Sequence, residues 1–187
     1  MNHGMKRKNS LNNIVLIGMS GAGKSTVGKY IADKLKMRFV DTDDIIVTNS
    51  GKTIKHIFAE YGEEYFRRLE KEVITKLAPV SNTVIATGGG VVFDRANIEL
   101  LKINGIIFFL EASIDTLVYN IERAAYKEHR PLIENSNNKT SRIERLYSSR
   151  ERLYRESADY SIKTDNKSIA QIGDEIIFIF KNIDPCS

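Results

Sequence analysis

The run Gly18-Met19-Ser20-Gly21-Ala22-Gly23-Lys24-Ser25 has the form G-x-x-x-x-G-K-[ST]. An apolar stretch, Ile14-Val15-Leu16-Ile17, precedes it and an amphipathic stretch follows, which is the strand-to-helix setting the pattern requires. Glycines let the chain turn tightly and aim backbone N–H groups at phosphate oxygens. A helix starting near Lys24 would add the positive end of its dipole. The expected ligand is therefore the triphosphate of ATP, cradled by Ser20, Gly21, Ala22, Gly23, Lys24, Ser25 and Thr26. Lys24 would place a point charge on the β- and γ-phosphates, and Ser25 would offer its hydroxyl to Mg²⁺.

Such a cradle also needs an acidic residue at the end of another strand. The apolar run Val84-Ile85-Ala86 has none and ends in Thr87-Gly88-Gly89-Gly90. Asp41-Thr42-Asp43-Asp44, after the second expected strand, supplies carboxylates for two tasks, metal and substrate. Asp43 or Asp44 could also cap a helix ahead of Ile45-Ile46; the two readings are compatible, and a functional Asp43 is the favoured one.

Three further clusters stand out. In Phe66-Arg67-Arg68-Leu69-Glu70, Arg67 and Glu70 share one helix face, although an exposed pair at that spacing contributes little. The glycines at 88–90 would let a ligand approach bare backbone; alone they could be a plain loop. The segment 123–155 carries nine Arg or Lys against four Glu, a balance that suits a flap over phosphates or a solvated helix face. Within it, Pro131 fixes the backbone beside Arg130, and the polar run 134–139 reads as a mobile loop.

To bring these residues together the chain must alternate strands and helices. Short apolar runs at 14–17, 38–40, 84–86, 106–110 and 160–162 read as strands. Amphipathic stretches at 24–36, 62–77, 95–102, 114–126, 141–156 and 169–181 read as helices. That alternation implies an α/β fold with a parallel sheet covered on both faces. The run Ile106-Ile107-Phe108-Phe109-Leu110 suits a strand buried on both sides. In such folds ligands gather at the carboxyl ends of the strands, where the clusters above fall.

Taken in order and spacing, the P-loop, Asp41-Thr42-Asp43, Phe66-Arg67-Arg68-Leu69-Glu70, Gly88-Gly89-Gly90, Arg130-Pro131-Leu132 and Arg150-x-x-x-Tyr154 resemble the shikimate kinases over residues 14–179. The resemblance implies a three-layer P-loop kinase fold with five parallel strands in the order 2-3-1-4-5 and a lid near 127–141. It implies transfer of phosphate from ATP to the 3-hydroxyl of shikimate, in aromatic amino-acid biosynthesis. By position, Asp43 would orient the attacking hydroxyl, Arg67 and Arg150 would clamp the carboxylate, and Gly89 and Gly90 would touch the ring. Ser25 would ligate Mg²⁺, with Asp41 holding it through water. Arg130 would close onto the phosphates with the lid, and Arg123 would lie against adenine. One departure is Arg152, where family members often have proline; it is expected to add charge near the pocket. The loop 164–168 matches poorly and carries no expected contact, and His3, His56 and His129 carry no expected chemistry.

The composition, 28% charged and 42% hydrophobic, is an ordinary globular mix. The 187 residues carry a net charge of +4, but Lys6, Arg7 and Lys8 lie in an arm, residues 1–13, that has no acid. Without the arm the balance is 25 basic to 24 acidic, a poor footprint for nucleic-acid binding. The arm reads as a solvated tail and residues 14–187 as one kinase domain. A single cysteine, Cys186, cannot form an internal disulfide, which suits a reducing, cytoplasmic setting. No apolar run approaches the roughly 20 residues of a membrane span, and a monomer is the default expectation. Two other readings share the P-loop: another small-metabolite kinase, such as a gluconate kinase, and a non-catalytic ATP-binding module. The first has no evident need for Arg67 and Arg150 together, and against the second Lys24, Asp43, Arg67, Arg130 and Arg150 are all present.

Overall fold

All five residues of β1 (Asn13–Ile17) are buried, and they form the central rung of a parallel sheet. The computed structural model describes residues 12–127 and 136–183. β1 lies between β3 (Thr83–Ala86) and β4 (Gly105–Glu111), with Leu16 opposite Ala86 on one side and Phe108 on the other. β2 (Arg38–Asp41) pairs with β3, and β5 (Tyr160–Lys163) pairs with β4, giving the order β2-β3-β1-β4-β5. The five expected strands are all present in the implied order. Asn13 was expected to end the arm but belongs to β1. Its side chain donates to the Val80 carbonyl at 2.6 Å and accepts from Thr83 N at 3.0 Å, fixing the strand's start. Residues 1–11 of the expected arm lie outside the described residues.

The helices are α1 (Lys24–Leu35), α2 (Thr42–Ser50), α3 (Ile54–Leu77), α4 (Arg95–Lys102), α5 (Ile114–Lys127), α6 (Ser136–Ser148), α7 (Glu151–Ser157) and α8 (Ile169–Lys181). Against expectation, α2 is capped by neither Asp43 nor Asp44. The Asp41 side chain accepts from Asp43 N, so the helix begins as soon as β2 ends. The helix expected from 62 begins at Ile54, capped by Thr53, and continues through a kink at Gly62, where φ is 79° and ψ is 177°. The helix expected over 141–156 is two helices, α6 and α7, meeting at Ser149 and Arg150. Residues 136–139, expected in a loop, open α6. No helix among the described residues is long and apolar enough to cross a membrane.

The core runs along both faces of the sheet, with Ile14, Leu16, Ile107, Phe108 and Phe109 fully buried in it. Burying a large apolar side chain contributes about 1.5–3 kcal/mol. The central strands are therefore a rigid base, and the chemistry-bearing residues sit at their carboxyl ends.

Candidate active site

The phosphate cradle follows β1. Gly23 caps α1 with φ at 89°, a left-handed conformation open to glycine at little cost. Lys24 is buried, and its Nζ donates to the Gly18 and Met19 carbonyls at 2.8 Å each. Burial pulls its pKa down to about 8, against the pull of Asp43 and Asp41. Ser25 Oγ donates to Asp41 Oδ2 at 2.6 Å, which ties the cradle to the end of β2. Asn120 of α5 donates to the Gly21 carbonyl at 2.9 Å. Arg123, one turn further along α5, is exposed, as are Ser20 and Thr26 at the cradle's rim.

Beside the cradle, β3 gives way to the glycine triplet. Thr87 binds the Leu16 carbonyl through both its N–H and its hydroxyl, at 3.1 and 3.0 Å. Gly88 N donates to the buried Thr42 hydroxyl at 3.0 Å. A Cβ on Gly88 would stand 2.6 Å from Asp43 Oδ1 and 3.1 Å from Glu70 Oε1. A Cβ on Gly90 would run into the Arg67 guanidinium. So the triplet is bare because two carboxylates and a guanidinium crowd its backbone. Its middle carbonyl, that of Gly89, accepts from Arg150 Nη1 at 3.3 Å and from the Tyr154 hydroxyl.

Arg67 is anchored by Glu70 at 2.8 Å and Glu63 at 2.9 Å. Asp43 Oδ1, Glu70 Oε1 and Arg150 Nε are buried without a hydrogen-bond partner among the described residues. Unsatisfied buried polar groups are rare in native proteins and mark a strained or functional place. Burial raises the pKa of Asp43, and the neighbouring Asp41 adds to it. Burial does the same to Glu70 despite its bond to Arg67. Carboxylates with raised pKa beside a cationic grip are suited to accepting a proton from a bound hydroxyl.

The structure thus brings Lys24, Ser25, Asp41, Asp43, Arg67, Gly89, Gly90 and Arg150 together beside the carboxyl ends of β1, β2 and β3. Arg130 lies outside the described residues, as do His3 and His129. Arg152 adds no charge to the cleft: 86% exposed, it pairs with Glu156 of its own helix at 2.6 Å. His56 pairs with Glu60 at 3.1 Å on the surface.

Sequence reasoning passed over Phe93, quoted Thr42 and Tyr154 only as motif positions with no role, and treated Glu70 only as an ion-pair partner. Glu70 carried a signal, since it lies one turn from Arg67; Thr42 carried none. Among the described residues no group of three or more His, Cys, Asp or Glu is arranged to hold a metal ion. Ser25 Oγ and Asp41 Oδ2 nevertheless form an adjacent pair of hard oxygen donors. That suits Mg²⁺, which takes few protein ligands beside water and phosphate.

The shikimate kinase family profile matches residues 20–180. A shikimate kinase of Caldanaerobacter subterraneus subsp. tengcongensis is 41% identical over 167 residues, spanning 89% of this chain and 95% of that protein. The structure of a shikimate kinase from Acinetobacter baumannii in complex with shikimate superposes with a TM-score of 0.82 at 33% identity, covering 96% of this chain and 99% of that one. A gluconokinase from Sinorhizobium meliloti shares the fold alone, with a TM-score of 0.53 and 16% identity over 92% of this chain and 93% of that one. Fold, ordered motifs and relatives agree, and the chain belongs to the shikimate kinase family.

Proposed function

We propose that this chain transfers the γ-phosphoryl group of ATP to the 3-hydroxyl of shikimate. The observation that carries the reading is the convergence of Arg67, Arg150 and Asp43 on the glycine triplet beside the P-loop. Two guanidiniums can hold a carboxylate with bidentate geometry that lysine lacks. Gly89 and Gly90 leave room for a ring to lie against backbone. Asp43 orients the attacking hydroxyl and takes its proton as oxygen bonds to the γ-phosphorus and the bond to ADP breaks. Residues 20–26 hold the triphosphate, Lys24 offsets its charge, and Arg123 lies on the adenine side. Arg130 would join the phosphates from a lid spanning about 127–141.

Ser25 and Asp41, the latter through water, are the residues that would hold Mg²⁺. Bound there with ATP, it would neutralise phosphate charge and favour the in-line arrangement. Most of the protein's contribution is then positioning, which is what phosphoryl transfer demands. With this reading goes a cytoplasmic monomer, acting on small molecules rather than nucleic acid or membranes. The near-neutral charge outside 1–13 and the single cysteine support it. ADP release with ATP and Mg²⁺, measured with shikimate, with gluconate and with neither, tests the reading. Release that depends on shikimate alone is expected. Release with gluconate, or ATP binding without any turnover, would overturn it.

A further inference from the structure

Phe93 ends the 3-10 turn Val91–Phe93 that follows the glycine triplet. Val91 and Val92 are buried and anchor the turn, and Phe93 N donates to the Gly90 carbonyl at 3.1 Å. Phe93 itself is 46% exposed. The Arg67 guanidinium carbon lies 5.5 Å from its centroid and that of Arg150 lies 5.1 Å away. Two cations from distant parts of the chain thus share one aromatic ring.

We propose that Phe93 is a positioning residue for the carboxylate grip, holding the Arg67 and Arg150 guanidiniums against one ring in the arrangement that substrate requires. The inference rests on the assignment of those arginines to the shikimate carboxylate and deepens it. Two like charges brought close repel, and before substrate arrives no carboxylate of shikimate separates them. An aromatic face is negative at its centre and attracts cations. Guanidinium is planar and weakly hydrated, so it stacks on such a face where an ammonium would not. The two arginines do not depend on the ring equally. Arg67 is also tied to Glu63 and Glu70. Arg150 reaches a carbonyl oxygen at 3.3 Å, and its Nε has no hydrogen-bond partner among the described residues. Removing the ring therefore loosens Arg150 most.

The test compares Phe93→Ala, Phe93→Leu and Phe93→Tyr with the wild type in steady-state kinetics on both substrates. Phe93→Ala and Phe93→Leu are expected to raise KM for shikimate about tenfold. Their kcat and KM for ATP should stay within about twofold, a change too small to reflect lost transition-state contacts. Phe93→Tyr keeps the aromatic face and should restore KM. An unchanged KM in Phe93→Ala would overturn the proposal. So would Phe93→Leu matching Phe93→Tyr, since bulk alone would then suffice, or a parallel loss against both substrates.

A direct binding measurement stands beside the kinetics. The chain has no tryptophan, so Phe93→Trp places a single tryptophan, excited selectively over the eight tyrosines, against both guanidiniums. Its emission should shift on titration with shikimate and not with shikimate methyl ester, which lacks the carboxylate. No shift with shikimate, or the same shift with the ester, would overturn the proposal. Wild-type protein that releases no ADP with shikimate would overturn the functional reading instead. Normal wild-type turnover with an indifferent Phe93→Ala would overturn only the role of Phe93.

Discussion

Arg67 Nη1 lies 2.8 Å from Glu70 Oε2, and the Glu70 side chain is 1% exposed. Arg67 is therefore held from beneath by a carboxylate that water does not reach. On a helix surface the same spacing contributes little. Buried, it makes each partner costly to remove, because the other is left charged and unmatched. The pair also faces Asp43, whose charge pushes the Glu70 pKa further up after burial has raised it. Arg67 and Asp43 are thus electrostatically linked through Glu70.

Replacing Glu70 by Gln should keep a hydrogen bond to Arg67 and lose the charge that fixes it. The difference between a charged and a neutral hydrogen bond is about 1 kcal/mol, or roughly fivefold in affinity. KM for shikimate should rise by that factor, with KM for ATP unchanged. Steady-state kinetics on both substrates decide it. An equal rise in both would place Glu70 in the general scaffold.

Asp43→Asn should nearly abolish turnover and yet stabilise the fold at neutral pH. A carboxyl whose pKa is raised above its usual 3.8 holds its proton more tightly folded than unfolded. That preference favours folding below the unfolded pKa and is lost as pH rises through the folded value. At neutral pH the protein therefore carries an unwelcome buried charge, which asparagine removes. A gain of about 0.5–2 kcal/mol is expected, as at other sites where function costs stability. Urea melts of both proteins from acid to neutral pH should diverge as pH rises. Parallel stability curves would contradict the burial argument, and near-normal turnover would remove Asp43 from the mechanism.

Lys24 gives a second pH signature, of opposite sense. Burial lowers its pKa to about 8, so the free protein loses this charge as pH passes that value. ATP favours the charged form and should draw a proton onto Lys24 as it binds. Calorimetric titration with ATP near pH 8, in buffers of differing ionisation enthalpy, should report proton uptake. The kcat/KM for ATP should fall above the same pH. Binding without proton uptake would mean that Lys24 is already fully charged when ATP arrives.

Gly62 interrupts α3 with φ at 79° and ψ at 177°, a region essentially reserved for glycine. There is open space where a Cβ would go, so sterics with neighbours are not the constraint. Gly62→Ala should cost about 1–3 kcal/mol in backbone strain, read by thermal or denaturant melting. An unaffected melt would show that α3 straightens without penalty.

The sheet was legible in the sequence because parallel strands buried on both faces are unbroken apolar runs, as in Ile106-Ile107-Phe108-Phe109-Leu110. Helix boundaries were less so. Asp41 caps α2 from the last position of β2, a junction that leaves no loop to announce it. Gly62 looked like a start because glycine breaks helical periodicity, yet the turns on both sides of it are helical. The P-loop was legible from residue type and spacing, whereas the roles expected of the arginines came only from the resemblance of the ordered motifs to a family. Phe93 was not legible, and Thr42 and Tyr154 were visible only as motif positions without a role: what each does depends on which atoms it touches across the fold.

Arg150 and Arg152 show the same limit at close range. Both lie at the start of α7, two residues apart, and both looked able to charge the pocket. The helix turn sends them different ways: Arg150 to the Gly89 carbonyl and the Phe93 ring, Arg152 to Glu156 on the open surface. An exposed pair contributes about 0–1 kcal/mol, so Arg152→Ala should leave both KM values and kcat unchanged and shift stability by no more than that. Arg150→Ala should weaken shikimate binding by about 2–5 kcal/mol, since the carboxylate loses a desolvated partner. Shikimate titrations of the two variants separate these outcomes. A comparable loss in both would mean that Arg152 leaves Glu156 and swings into the cleft when substrate binds.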